Sequence, residues 1–574
     1  MKRAELRKLQ QLPLTAVVPG DPEAVRPAQR GETYPAFAAG VLLAFAALLI
    51  CYSKGYLLLY GDAVAHLAIA RRILDSHYPG LAQLGGVWLP LPHVLMLPFI
   101  RSMQLWQTGL AGAPMSTISF AIGVAGMWRL TRRMMRVRWA FVATLFYALN
   151  ANLLYLATTA MTEAFYLALF VWVVVVTMEG IAALQEGRAA AAKGRMVLAG
   201  LLVLGMAFTR YDGWIVGAAV WCCFALAWWK SAPKVRSEVR IAFSIFTVLC
   251  LAGPLLWFWY NAHFEHDWLD FMRGPYSAKQ IERRTAPPGQ HYRGWHNPAW
   301  ALLFYTRTAQ VDASVWETGF AVMAAALYGL WLQLRRKVSW GARAEQPNAS
   351  WWYAMLLWVP LPFYVYSVAY GSVPIFIPQL WPHSYYNARY GMEMLPALAV
   401  YAALSAEHLD VWLRGKTENW ARVAARFWQP LAAVLCVANS VGMMYFTPLV
   451  LKEAKVNSTT RVALERSLAL FMEQMPANEP VMMALSAHVG AVQVAGRTLN
   501  SMVSENDEQA WEAALADPSH HAAFVIAIAG DPVAKAVAAH PDGLKELEVV
   551  CTTGQPCARI YQSEDWKTSP PPAQ

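Results

Sequence analysis

From Tyr34 to about Tyr445 the chain returns repeatedly to apolar stretches close to twenty residues long. That is the length an α-helix needs to cross the roughly 30 Å hydrocarbon core of a bilayer. Eleven such helices are expected, over residues 34–54, 111–130, 139–157, 161–180, 195–209, 213–230, 239–260, 314–334, 351–371, 391–409 and 427–447. Composition points the same way, with 57% hydrophobic and 15% charged residues against about 45–50% and about 25% in soluble domains. The first stretch reads as a retained helix rather than a cleaved signal peptide, since Tyr52-Ser53-Lys54 is a poor small-residue cleavage site.

A net charge of +10 raises the question of nucleic acid. The positions of the basic residues answer it. Segments 1–33, 129–138, 183–196, 230–240, 333–346 and 412–426 hold 26 of the 47 Lys and Arg, and all six fall on one side of the expected helices. The positive-inside rule makes that side cytoplasmic, so the charge is a topology signal and nucleic acid is not an expected partner.

The opposite face then receives loops 55–110, 261–313 and 372–390, together with everything after residue 447. The tail is polar and mixed, with candidate strands VMMAL (481–485), FVIAIA (524–529), LEVVC (547–551) and ARIYQ (558–562). Helical patterns near 456–475, 506–516 and 532–539 alternate with them, which suggests a small α/β domain. The expected organisation is a cytoplasmic segment 1–33, a membrane domain 34–447, an extracytoplasmic α/β domain 448–565 and a disordered tail 566–574. Cys551 and Cys557 flank TTGQP, where a bridge across a turn is plausible in an oxidising compartment.

Ionisable residues gather on that same face. Loop 55–110 opens with YGDAVAH, in which Asp62 and His66 lie one helical turn apart over a stripe of Leu67, Ala70 and Leu74. A short helix on the membrane surface is expected here, and an N-cap role would account for Asp62 locally. WLPLPH follows, ending in His93. Glu163 sits in TTAMTEAF near the outer end of the fourth helix, and Arg210 in FTRYDGW between two apolar runs. Loop 261–313 brings Arg273 and Tyr276 in FMRGPYSAKQIERR, and HSYYNARYGMEMLP brings His383, Arg389 and Tyr390. Each charge alone is an ordinary interfacial anchor. Together they describe a site for an anionic lipid headgroup and a hydroxyl or amine acceptor. His263, His266, His291 and His296 share one loop at spacings that zinc could use, but without Cys or an HExxH frame polar loop histidines are the favoured reading. No cofactor is firmly implied.

GDAVAHLAIARRILDS followed by PLPH, then TTAMTE, TRYDGW, GPYSA and NARYGMEMLP, resembles the bacterial GT-C membrane glycosyltransferases, the superfamily of protein O-mannosyltransferases and the lipid A aminoarabinose transferase. The resemblance covers roughly residues 34–447. It implies a polyprenyl-phosphate-linked sugar as donor and inverting transfer on the extracytoplasmic side of the bacterial cytoplasmic membrane, to a glycan, lipid or protein acceptor. It also implies Asp62 as general base, Glu163 as a second acidic position, and Arg210, Arg273 and Arg389 with Tyr390 as holders of the lipid phosphate. His66, His93, Tyr276 and His383 complete the expected substrate-binding set. Two positions depart from relatives: Ala63 stands where many carry Glu, and Leu89-Pro90-Leu91-Pro92 where aminoarabinose transferases carry Lys-Pro-Pro-Leu. A phosphate-contacting lysine is therefore missing, which argues against an aminoarabinose donor.

The expected protein is mainly α, a polytopic GT-C-like bundle with a small α/β C-terminal domain. Competing readings are a ligase or polymerase of lipid-linked oligosaccharides, a secondary transporter, and a structural membrane protein with a partner-binding tail. Transport is disfavoured because the charges lie at one surface, without the repeated halves and midplane sites of transporters.

Overall fold

The computed structural model describes residues 25–286, 290–335, 349–507 and 509–566, so the expected segment 1–33 is described only from residue 25, and the expected tail 566–574 only at residue 566. All eleven expected apolar segments contain helix. Seven described helices are long and apolar enough to cross a membrane, or eight if Pro298–Ala313 and Thr318–Arg335, bent by 107°, form one broken span. The count of eleven is not confirmed, for reasons visible in the side chains. The 139–157 stretch breaks where Asn150 accepts a hydrogen bond from the Leu153 amide and starts a new helix, Ala151–Leu156. Leu395–Arg414 is long enough but buries Glu407, His408 and Asp410 in its second half.

Two helices show how the bundle is arranged. Glu163–Gln185 is apolar all round and 89% buried, so it is the central strut. The first helix is as apolar but only 17% buried, and exposes Leu42, Phe45 and Ile50. An outward apolar surface of that extent needs lipid around it. The protein is thus a multi-pass membrane protein.

Where a loop was expected at 261–313, the chain forms two short helices, Asp270–Arg273 and Ala278–Thr285, and then the sixteen-residue Pro298–Ala313 helix. Asn297 caps that helix through the Trp300 amide and Pro298 occupies its first turn, a start signal readable in HNPAW.

Beyond the Leu449–Met472 helix lies a five-stranded sheet of order β2-β1-β3-β5-β4. The four expected strands form β1 (Val481–Met483), β3 (Phe524–Ile528), β4 (Leu544–Val550) and β5 (Ala558–Ser563), and β2 (Met502–Val503) joins them. β1 pairs in parallel with β2 and β3, while β5 runs antiparallel to β3 and β4. Cys551 and Cys557 are disulfide-bonded across the β4–β5 turn.

This unit is anchored on loop 55–110. Arg461 Nη2 donates to the carbonyls of Leu58 and Leu59 at 3.2 and 3.0 Å, and Gln493 Nε2 to the Trp106 carbonyl at 2.6 Å. Arg72 Nη1 reaches Asn506 Oδ1 at 2.6 Å. The Gly61–Arg72 helix is thereby held from both ends by residues more than four hundred positions away in sequence.

Candidate functional site

The residues that matter most start their helices. Asp62, Glu163 and Asp212 all lie in the first turn of a helix, those of Gly61–Arg72, Glu163–Gln185 and Asp212–Lys230. Unpaired amides and the helix dipole favour a negative charge at that position. The three N-termini converge on one cleft of about 200 Å³, which Asp62, His66, Glu163, Arg210, Asp212, Tyr364, Arg389 and Tyr390 help to line.

The capping expectation for Asp62 is corrected here. Tyr60 occupies the N-cap, no side chain caps the helix, and the Asp62 carboxylate points to Arg389 instead. A guanidinium offers a charged partner, which outcompetes a backbone amide.

Arg389 comes from a 3-10 turn, Ala388–Met394, opened by Asn387 in the left-handed region at φ 55°. Asn387 tolerates that conformation and donates to the Pro374 carbonyl at 3.0 Å. Gly391 lets this turn lie against Pro298–Ala313, since a Cβ there would meet Asp312 Oδ2 at 2.5 Å and the Ala309 amide nitrogen at 2.7 Å. Ala388 N is fixed by Glu453 Oε2 at 2.9 Å.

A connected ion network results. Arg389 donates from Nη2 to Asp62 Oδ2 at 2.5 Å and from Nε to Glu163 Oε1 at 3.0 Å. Arg210 donates from Nη1 to the same Glu163 oxygen at 3.0 Å and from Nη2 to the Tyr364 hydroxyl at 2.6 Å. That hydroxyl donates on to Asp212 Oδ2 at 3.2 Å. Arg210 Nε also lies 3.5 Å from Asp212 Oδ1 and 3.4 Å from Glu393 Oε1. Tyr390 stands between the two guanidiniums, its ring centre 5.1 Å from Arg210 and 4.8 Å from Arg389. Of the four carboxylates, Glu163, Asp212 and Glu393 are buried, and Asp62 alone is substantially open, at 38%.

His66 is stacked on Trp88 with ring centres 4.4 Å apart, and its Nδ1 lies 2.8 Å from Nε2 of the fully buried His93. Burial, followed by the charges of Arg389 and Arg210, pushes the His66 pKa down to about 3. Burial likewise holds His93 well below its usual value. Both rings are neutral at pH 7, which allows one to donate and the other to accept.

Of the ten expected site residues, Asp62, His66, Glu163, Arg210, Arg389 and Tyr390 line the cleft, and His93 lies behind His66. The other three are elsewhere. Arg273 ends its short helix 63% exposed, with Nη1 3.7 Å from Asp267. Tyr276 is exposed in the turn that follows, and His383 bonds through Nδ1 to the Pro378 carbonyl within its own loop at 2.8 Å. The loops carrying them fold on themselves, which turns these side chains outward. Among the described residues no group of three or more His, Cys, Asp or Glu side chains is placed to hold a metal, and His291 is bonded to Glu282 at 2.8 Å.

Asp212, Glu393 and Tyr364 join the network without having been expected as site residues. The acids stand in motifs already singled out, TRYDGW and NARYGMEMLP. Tyr364 sits in the apolar run PLPFYVYSVAY and gives no sequence signal.

No protein-family model matches the sequence, and no curated protein matches it. Solved structures do. ArnT from Cupriavidus metallidurans bound to undecaprenyl phosphate is similar with a TM-score of 0.55 at 14% identity, over 91% of this chain and 97% of that one. The same protein in the apo state gives 0.54 at 13% identity, with the same coverage. The chain has a GT-C-like fold. At such identity the likeness is one of architecture, and this GT-C-like bundle carries its small five-stranded sheet at the C-terminus.

Proposed function

We propose that the protein is an inverting glycosyltransferase, which moves a sugar from a polyprenyl-phosphate donor to an acceptor on the extracytoplasmic side of the bacterial cytoplasmic membrane. The observation that carries this reading is the Asp62–Arg389–Glu163–Arg210 network: one open carboxylate beside two guanidiniums, in a cleft whose other acids are buried. The ArnT structure with undecaprenyl phosphate supports the donor class, because that protein shares the fold. The basic segments support the orientation, with the cleft and the domain 448–565 facing away from the cytoplasm.

A hydroxyl is a weak nucleophile, so Asp62 takes its proton as the new bond to the anomeric carbon forms. The bond between that carbon and the phosphate oxygen breaks, and its electron pair leaves with the polyprenyl phosphate. Attack opposite the leaving group inverts the centre. One carboxylate suffices, unlike the pair used in hydrolysis, because phosphate leaves with little protonation. Arg389 and Arg210, themselves largely buried, stabilise the growing phosphate charge with fixed donors. Arg389 also links the two events. Its Nη2 donates to Asp62, and a donor phosphate claiming that nitrogen would release the carboxylate to the acceptor.

The test is reconstituted protein supplied with undecaprenyl-phosphate sugars and bacterial membranes as acceptor. Free undecaprenyl phosphate should appear together with acceptor-bound sugar. Solute flux across the bilayer without that release would overturn the reading in favour of transport, and transfer of whole oligosaccharide blocks would favour a ligase.

A further inference from the structure

A second charged centre lies at the other end of the same helices. Glu179 follows Glu163 by 16 residues on one helix (179 − 163), a rise of about 24 Å, close to the hydrocarbon thickness of a bilayer. Three arginines surround it: Arg129 from the Ala113–Thr131 helix, Arg133 from the turn that follows that helix, and Arg195 from the Ala189–Ala207 helix. Arg129 Nε and Arg133 Nη2 meet Glu179 Oε1 at 2.7 and 2.8 Å, and Arg195 Nε meets Oε2 at 2.7 Å. Gly180 makes the approach feasible, since a Cβ there would stand 3.0 Å from Arg195 Cβ.

One carboxylate faces three guanidiniums, so the cluster keeps two positive charges beyond neutrality. Each guanidinium has five N–H donors, and Glu179 uses only a few of them. Arg133 Nε is buried with no hydrogen-bond partner. Such an excess is unfavourable at the edge of a low-dielectric layer unless an anion completes it. Planar forks match phosphate oxygens two at a time. Arg129 also lies over Trp172 at 5.7 Å, a cation–π contact that helps to hold its guanidinium beside Glu179.

We propose that Arg129, Arg133 and Arg195, ordered by Glu179, bind a phosphate group at the membrane face opposite the cleft, supplied by an anionic phospholipid. The site is independent of the proposed reaction and holds whether or not the cleft transfers sugar. Basic pockets between helices at this depth are suited to anionic headgroups.

Native mass spectrometry of the full-length protein in detergent tests this, with dioleoyl phosphatidylglycerol and dioleoyl phosphatidylcholine as probes. Wild type should retain phosphatidylglycerol over phosphatidylcholine, and Arg195→Gln, the most exposed of the three, should weaken retention about fivefold, with a further similar loss in Arg133→Gln/Arg195→Gln. Glu179→Gln keeps the shape and adds positive charge, so it should hold phosphatidylglycerol at least as tightly. Should the double variant fail to fold, these two single variants still decide. Displacement by inorganic phosphate would support the phosphate contact with the free anion as its source, whereas lipid that resists it supports the headgroup. Equal retention of both lipids by wild type, or unchanged retention in Arg195→Gln, would overturn the proposal.

Discussion

Arg389 and Asp62 are 327 residues apart in sequence, yet Nη2 of the one lies 2.5 Å from Oδ2 of the other. Arg389 grips Glu163 through Nε at the same time. The open acid and the buried acid are therefore coupled through one side chain.

Asp62→Asn should abolish sugar transfer while leaving the fold intact. Asp62 is partly solvated and Arg389 keeps its bond to Glu163, so little burial is disturbed. Losing a general base lowers a rate by about 10²–10⁴-fold. Unchanged turnover in a monodisperse, thermally stable variant would remove Asp62 from the chemistry.

Arg389→Ala should damage both function and stability. It leaves the fully buried Glu163 with Arg210 as its remaining ion-pair partner, and breaking a buried pair costs about 3–5 kcal/mol. A lower melting temperature and a raised donor KM are expected. Arg389→Lys should recover some stability but little donor use, because a lysine cannot bridge two acids with a planar fork. An Arg389→Ala protein that melts like wild type contradicts the network.

Acid should destabilise the protein through His66. Its native pKa of about 3 lies below the unfolded value near 6.5, so the unfolded chain binds more protons between those limits. Stability is complete above pH 6.5 and falls as pH drops towards 3. At pH 5 the loss from this one group is about 2 kcal/mol. Melting temperatures at pH 7 and pH 5 should differ less in His66→Gln than in wild type. An identical pH dependence would show that the ring is not held neutral.

Arg461→Ala should slow transfer without touching the cleft. Arg461 fixes the Leu58 and Leu59 carbonyls just ahead of Tyr60 and Asp62. Small misplacements of reacting groups lower rates by up to about 10²-fold. The fall should lie mainly in kcat, with partial rescue by Arg461→Lys. A variant with normal kcat would make the C-terminal unit irrelevant to the position of Asp62.

Much of this was written locally. Apolar length gave the bundle, and short apolar runs between turns gave four of the five strands, while β2, only Met502 and Val503, is too short to stand out as a run. The helix over Gly61–Arg72 was legible from the spacing in DAVAHLAIARRIL, but its expected place on a surface was not met: Ala63, Val64, Leu67, Ala68, Ile69 and Ala70 are all buried, because the C-terminal unit and the neighbouring helices pack around it. The partner of Asp62 was not legible, and the local expectation of a cap gave way to Arg389. Arg273 and His383 looked as promising as Arg210 in sequence, because a charged residue near a helix end has the same signature whichever way its loop turns.

Sequence alone determined which segments are apolar, which side collects basic residues and where acids begin helices, since these depend on neighbours within a few turns. Tertiary packing decided which of those acids and arginines meet. Residues as far apart as Asp62 and Arg389 share an ion pair only because a buried helix, a tight glycine at 391 and a C-terminal clamp bring their elements together. No local pattern encodes that distance.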